Sequence, residues 1–258
     1  MIQINFPTRN NEKLIRLLEL VNNDAEAFAL WEACNVMTVK RQGISDHGPV
    51  HVNIVSNIAL KLLRNLHAKE IHPSIVKDWE FEQEDAEVIV ALAALFHDVG
   101  NAVHRDLHDQ LGPILAGKFI EKYLSELYEP RERQIMLTEV FSAMVSHSED
   151  KYPPMTLEAG IIRLADALDM EKGRARIAYE AGSKDIHSIS AMSIDEVKIG
   201  DGERPIEIEV KMNNPAGIFQ VDFLLKKKLK GTGLEPYVKV KAIIHQHEEN
   251  FIDEYVIE

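Results

Sequence analysis

Phe96-His97-Asp98-Val99-Gly100 places a histidine directly before an aspartate at the end of a long apolar run. Upstream, Val88, Ile89, Leu92, Leu95 and Phe96 recur at helical spacing, so the run predicts an interior helix that carries both polar groups into the core. An imidazole and a carboxylate are costly to bury without strong partners, and a bound cation satisfies both at once. The plainer reading is a helix end stopped by Gly100, with one capped histidine beside one solvated aspartate.

The surrounding sequence favours the cation. His47, His51, His104, His108 and His147 flank or enter other amphipathic stretches, and the apolar helix around Ile161–Met170 carries Asp166. Gly48-Pro49 reads as a helix start, since proline is tolerated in the first turn. That puts His51 in the first turn, with Val55, Ile58 and Leu62 on its buried side, and leaves His47 just outside. Either histidine is a candidate for the first ligand. His104 and His108, four apart, would share a face if helical. His147 ends a helix bearing Phe141, Met144 and Val145, where the helix dipole alone also favours a histidine. Asp166 and Asp169 share a face with Ile162, so spacing does not choose between them.

Read in order, His51-x-x-x-Val55-x-x-x-Ala59, Phe96-His97-Asp98-Val99-Gly100, His108-x-x-x-Gly112 with Ala116, Val145-Ser146-His147-Ser148 and Arg163-Leu164-Ala165-Asp166-Ala167-Leu168-Asp169 resemble the HD-domain metal-dependent phosphohydrolase superfamily. The resemblance covers roughly residues 45–170. It implies a helical bundle in which His51, His97, Asp98 and Asp166 hold one ion, as in mononuclear members. His108 and His147 imply a second ion, with Asp98 bridging as in dinuclear relatives and Asp169 standing behind the ligands. Imidazoles and carboxylates without thiolates suit Mn, Fe, Co, Ni or Zn. Two ions about 3.5–4 Å apart can clamp a phosphoryl oxygen, and metal binding drops the pKa of water from ~15.7 to about 7. The resemblance therefore implies hydrolysis of a small phosphorylated metabolite, a nucleotide for preference, by a metal-activated hydroxide. Asp98, His104 and Arg105 are the catalytic candidates, and Arg105, Lys172, Arg174 and Arg176 the candidate phosphate contacts. The same ligand order also resembles the di-iron oxygenases of this superfamily. A third reading is a non-catalytic ligand sensor that signals to a partner.

The 258 residues, 45% of them hydrophobic, suffice for one large domain or a medium domain with a small one. The fold expected is mainly α. Helical patterns run to about Gly182, and residues 1–182 are expected to form the bundle. Over residues 183–258 the pattern changes to a ββαβ appendage. Met192–Ile199 and Pro205–Met212 alternate as half-buried strands do, with Ile206, Ile208, Val210 and Met212 on one face. Asn214-Pro215 then caps a helix carrying Ile218, Val221, Leu225 and Leu229, Gly231 ends it, and Pro236–His245 returns to strand. Self-association or shielding of the active-site mouth is the role expected of this appendage. Lys226-Lys227-Lys228 reads as a solvated face near a helix C-terminus rather than a nucleic-acid patch.

The formal charge of −13 argues against general affinity for nucleic acid and means that an anionic substrate needs local positive charge. No apolar run reaches the ~18 residues of a membrane span, and the first residues do not read as a signal peptide. The single Cys34 cannot form an internal disulfide, which suits the cytoplasm. No P-loop, Rossmann glycine pattern or Cys-based zinc motif competes with these readings.

Overall fold

The computed structural model describes residues 2–148, 151–174 and 190–245, and the backbone of 254–257. Among the described residues, eight α-helices with both ends placed precede a small sheet: α1 (Glu12–Asn22), α2 (Ala25–Asn35), α3 (Pro49–His67), α4 (Ser74–Trp79), α5 (Gln83–Phe96), α6 (His108–Ser125), α7 (Pro130–Val145) and α8 (Leu157–Leu168). The axis of the bundle is α5. Every residue from Val88 to Phe96 is buried, so this helix is apolar all round and packs against α3, α7 and α8. A capping box opens it, with Glu82 N–H donating to Asp85 Oδ2 at 3.0 Å. Near its other end the Trp31 indole N–H donates to Leu95 O at 2.8 Å, and the Phe96 ring packs against Trp31, Phe119 and Tyr123. These contacts fix the direction in which the chain leaves α5, and with it the place of His97 and Asp98.

The expected helices are present with small differences at their ends. The second one continues as a π-helical turn, Val36–Arg41, and α4 is an element that the periodicity did not announce. Glu158, buried at the start of α8, anchors α4 by accepting from Ser74 N–H at 3.1 Å and Ile75 N–H at 2.9 Å. The helix expected over Gly173–Ala181 lies largely outside the described residues, as does the boundary expected near residue 182.

After it come β1 (Ile194–Gly200), β2 (Ile206–Met212), β3 (Val238–Ile244) and β4 (Glu254–Ile257), in that order across one sheet. The β1–β2 and β3–β4 pairs are antiparallel, and β2–β3 is parallel. The parallel pair requires a crossover, and residues 215–229 supply it as a 3-10 turn (Pro215–Gly217), a π-helix (Gln220–Leu225) and α9 (Lys226–Leu229). Asn214 caps this segment, its side chain accepting from Ala216 N–H, and Gly231 takes a positive φ of 76° beyond its end. The ββαβ order expected from the sequence is thus extended by the fourth strand. The crossover packs on α8, where Gly160 permits the approach: a Cβ there would lie 2.5 Å from Thr232 O. Among the described residues, no helix is long and apolar enough to cross a membrane.

Candidate metal centre

The HD pair leaves α5 at its C-terminus. His97 caps that helix and Asp98 opens the 3-10 turn Val99–Ala102. Gly100 lets the first residue of α6 lie on this turn, because a Cβ at Gly100 would fall 2.6 Å from the Cα of His108. His51 enters from the first turn of α3, His147 from just beyond the end of α7, and Asp166 from the last turn of α8. Helices far apart in sequence therefore converge their ends on one point.

The histidines arrive with their tautomers set. Nδ1 donates to Ala94 O in His97 at 2.8 Å, to Arg105 O in His108 at 2.6 Å, and to Met144 O in His147 at 2.6 Å. The partner of His51 Nδ1 is Asp169 Oδ2, at 2.6 Å. Carbonyls and carboxylates only accept, so Nδ1 carries a proton in each ring, and each ring in its neutral form turns the Nε2 lone pair inward. The Nε2 atoms of His51 and His97 lie 3.2 Å apart, within hydrogen-bonding distance of each other. His108 Nε2 is buried with no hydrogen-bond partner.

Asp98 divides the cluster in two. Its Oδ2 lies 3.2 Å from His51 Nε2 and 3.3 Å from His97 Nε2, a group that Asp166 Oδ1 joins at 3.5 Å from His51 Nε2. The other oxygen, Oδ1, lies 3.6 Å from His108 Nε2 and 3.5 Å from His147 Nε2. Within each group the candidate ligand atoms lie within 4.8 Å of one another. Two neighbouring nests of imidazole and carboxylate donors, sharing one carboxylate, are a donor set that fits divalent transition metals.

The electrostatics show where positive charge is wanted. Burial and the Arg174 guanidinium oppose a charge on His51, yet hydrogen bonds to Asp166, Asp169 and Asp98 raise its pKa to about 10. Burial opposes it on His97 too, and the charge of Asp98 with hydrogen bonds to Asp166 and Asp98 raises it to about 9. Against the cost of burial, the same contacts hold Asp98 and Asp166 well below the usual carboxylate range. His108 behaves oppositely, since burial lowers it to about 4.

A cavity of about 360 Å³ opens over the cluster, lined among others by Arg105, Asp166, Asp169, Arg174 and Lys228. Of the residues singled out in the sequence, His51, His97, Asp98, His108, His147 and Asp166 are brought together. Arg105 reaches the rim, donating from Nη1 to Asn101 Oδ1 at 3.1 Å, and Arg174 lies 3.3 Å from Asp169 Oδ2. His47 sits one layer further out. Its Nε2 is 3.9 Å from Asp98 Oδ2, and burial lowers its pKa to about 3. His104 does not join the cluster. It is exposed, in extended backbone ahead of α6, and its Nδ1 accepts from Asp106 N–H, so the face it would share with His108 does not form. Lys172 is drawn away to Asp195 at 2.6 Å, and Arg176 lies outside the described residues.

Sequence reasoning missed two groups. Asp109 Oδ1 lies 3.1 Å from His108 Nε2, and Asp109 accepts from Ser148 Oγ at 2.6 Å. Lys228 departs from the solvated face expected of its run. Its Nζ donates to His147 O at 3.0 Å and lies 3.6 Å from Asp166 Oδ2, while burial lowers its pKa. Asp109 followed directly on a singled-out histidine, but no signal in the sequence marked Lys228.

The bundle, the HD pair and the converging donors define a class, and the HD domain family matches residues 50–171. This chain belongs to the HD-domain metal-dependent phosphohydrolase superfamily. It is 45% identical over 234 residues to Uncharacterized protein MJ1020 of Methanocaldococcus jannaschii, covering 90% of each chain. A shorter similarity, 30% over 93 residues, links it to Ribonuclease Y of Aster yellows witches'-broom phytoplasma, across 35% of this chain and 15% of that one. No solved structure matches.

Proposed function

We propose that this protein is a dinuclear metal-dependent phosphohydrolase that releases phosphate from a small phosphorylated metabolite, a nucleotide for preference. The observation that carries this reading is the division of Asp98, whose two oxygens face two separate histidine pairs. His51, His97, Asp98 and Asp166 would hold one ion and Asp98, His108 and His147 the other. Mn, Fe, Co, Ni and Zn all suit such ligands. Bound there, the ions would polarise a phosphoryl oxygen and lower the pKa of a coordinated water.

The chain's own residues do the rest. Asp169 holds the His51 ring in its tautomer from behind, as backbone carbonyls do for His97, His108 and His147. Arg105 and Arg174 supply fixed positive charge at the rim, which an anionic substrate needs in a chain of net charge −13. Cys34 takes no part, since burial pushes its thiol up to about 12, and a lone unreactive thiol suits the cytoplasm that this reading assumes. The test is metal analysis of the purified protein, together with phosphate release from a panel of nucleotides and other phosphate esters. Two transition-metal ions per chain with metal-dependent release are expected. Bound metal with every ester left intact would refute the hydrolase, and oxygen consumption with a di-iron signal would assign an oxygenase instead.

A further inference from the structure

The cavity over the centre has a roof that comes from outside the matched family region. Gln220, Leu224, Lys227 and Lys228 line it from the crossover of the appendage, opposite Asp166, Asp169 and Arg174 of the bundle. These four positions recur at i, i+4, i+7 and i+8, one face of a helical segment. Backbone contact between Gly160 and Thr232 fixes that segment on α8, and Thr232 Oγ1, donating to Leu229 O at 2.6 Å, secures the end of α9. The lysine run is thereby split by function. Lys226 is exposed and pairs with Asp222, whereas Lys228 is only a quarter exposed and reaches both halves of the centre. It meets the His147 carbonyl of one half and Asp166 Oδ2 of the other, and that oxygen is not the one that faces the histidines.

We propose that Lys228 is a substrate-positioning residue whose ammonium binds an anionic oxygen of the substrate's phosphoryl group, so that the appendage completes the substrate site. An ammonium carries three donors, and the hydrogen bond to His147 O occupies one. With both halves filled by divalent ions, the positive charge of the ions with Arg105, Arg174 and Lys228 exceeds that of the carboxylates Asp98, Asp109, Asp166 and Asp169. An incoming phosphate offsets most of that excess. The cavity, about 360 Å³, lies near the small end of ordinary ligand pockets. That volume suits a single small phosphate ester. This inference rests on the hydrolase reading above, which assigns a phosphate to the site.

The test uses the full-length, metal-loaded protein as parent, Lys228→Met, Lys228→Arg and, as a control on the exposed side of the run, Lys226→Met. Metal per chain, affinity for inorganic phosphate by calorimetry, and KM and kcat on the best ester are measured for each. Lys228→Met is expected to keep its metal, to bind phosphate roughly tenfold or more weakly and to show a matching rise in KM, the loss of one charge-assisted contact. Lys228→Arg should recover part of that loss, and Lys226→Met should match the parent. Phosphate affinity within twofold of the parent in Lys228→Met would overturn the proposal. So would loss of metal from that variant, which would make Lys228 a support for the ligands alone. If the parent hydrolyses no ester, the hydrolase reading falls, while the phosphate affinities still decide the role of Lys228.

Discussion

The half of the centre around His51, His97 and Asp166 is crowded with carboxylates, whereas in the half around His108 and His147 one imidazole nitrogen, His108 Nε2, is buried without a hydrogen bond although Asp109 Oδ1 lies 3.1 Å away. In the first, Asp98, Asp166 and Asp169 draw positive charge onto the rings, raising His51 to about 10 and His97 to about 9. In the second, burial dominates, and His108 falls to about 4. On the dinuclear reading proposed above, the difference implies an order of filling: the first half draws positive charge, with protons competing for its ligands, and the second is neutral at His108 and depends on Asp98 and its neighbours to hold charge. Asp98, with one oxygen in each half, ties the two together.

The harshest way to break this comparison is to remove what the halves share. Asp98→Ala should leave the helical signal in circular dichroism intact, reduce bound metal below one ion per chain and lower phosphate release by roughly a thousandfold or more. Elemental analysis and a rate assay on the same preparation check it, and a fully active variant would end the metal-hydrolase account.

A gentler change should break only one half. The methyl group of Gly100→Ala falls on the backbone of His108, so the start of α6 must shift and carry His108 away from Asp98. This variant should lose the second ion and keep the first, matching His108→Ala in metal content and in rate. Two ions per chain in Gly100→Ala would show that the turn tolerates the strain.

The smallest effect sharpens the contrast through pH. A raised pKa stabilises the folded state below the unfolded value of about 6.5 and is lost as pH rises through the folded one. The metal-free protein should therefore lose thermal stability between about pH 7 and 10, as His51 and His97 give up their protons. A metal ion in the first half displaces those protons, so its affinity should rise over the same window. His108, already neutral above about pH 5, adds no such dependence to the second half. Melting curves with and without metal should diverge as pH increases, and parallel curves would contradict the assignment.

The bundle was legible because its signals are local. Apolar spacing marks α5, and proline and glycine mark the start of α3. The residues that converge were legible through their order, which the resemblance supplied, and His51 reaches Asp98 at 3.2 Å where His47 stays at 3.9 Å. What the sequence could not show arises from long-range packing. His104 has the spacing of a ligand, yet the 3-10 turns ahead of α6 leave it in solvent. Lys228 looks like its neighbour Lys226, and only the docking of the crossover on α8, 81 residues beyond His147, turns one inward and leaves the other in water. Glu158 holding the start of α4 is another pairing that no local pattern encodes.

The central claim is that two ions bridged by Asp98 act together, and a metal titration of the stripped protein tests it most directly. Ions bound per chain and phosphate release are followed in the same samples from zero to saturation. The account expects little turnover while the first ion binds and a steep rise as the second does, ending at two ions per chain. Full turnover at one ion per chain, or at none, would contradict it.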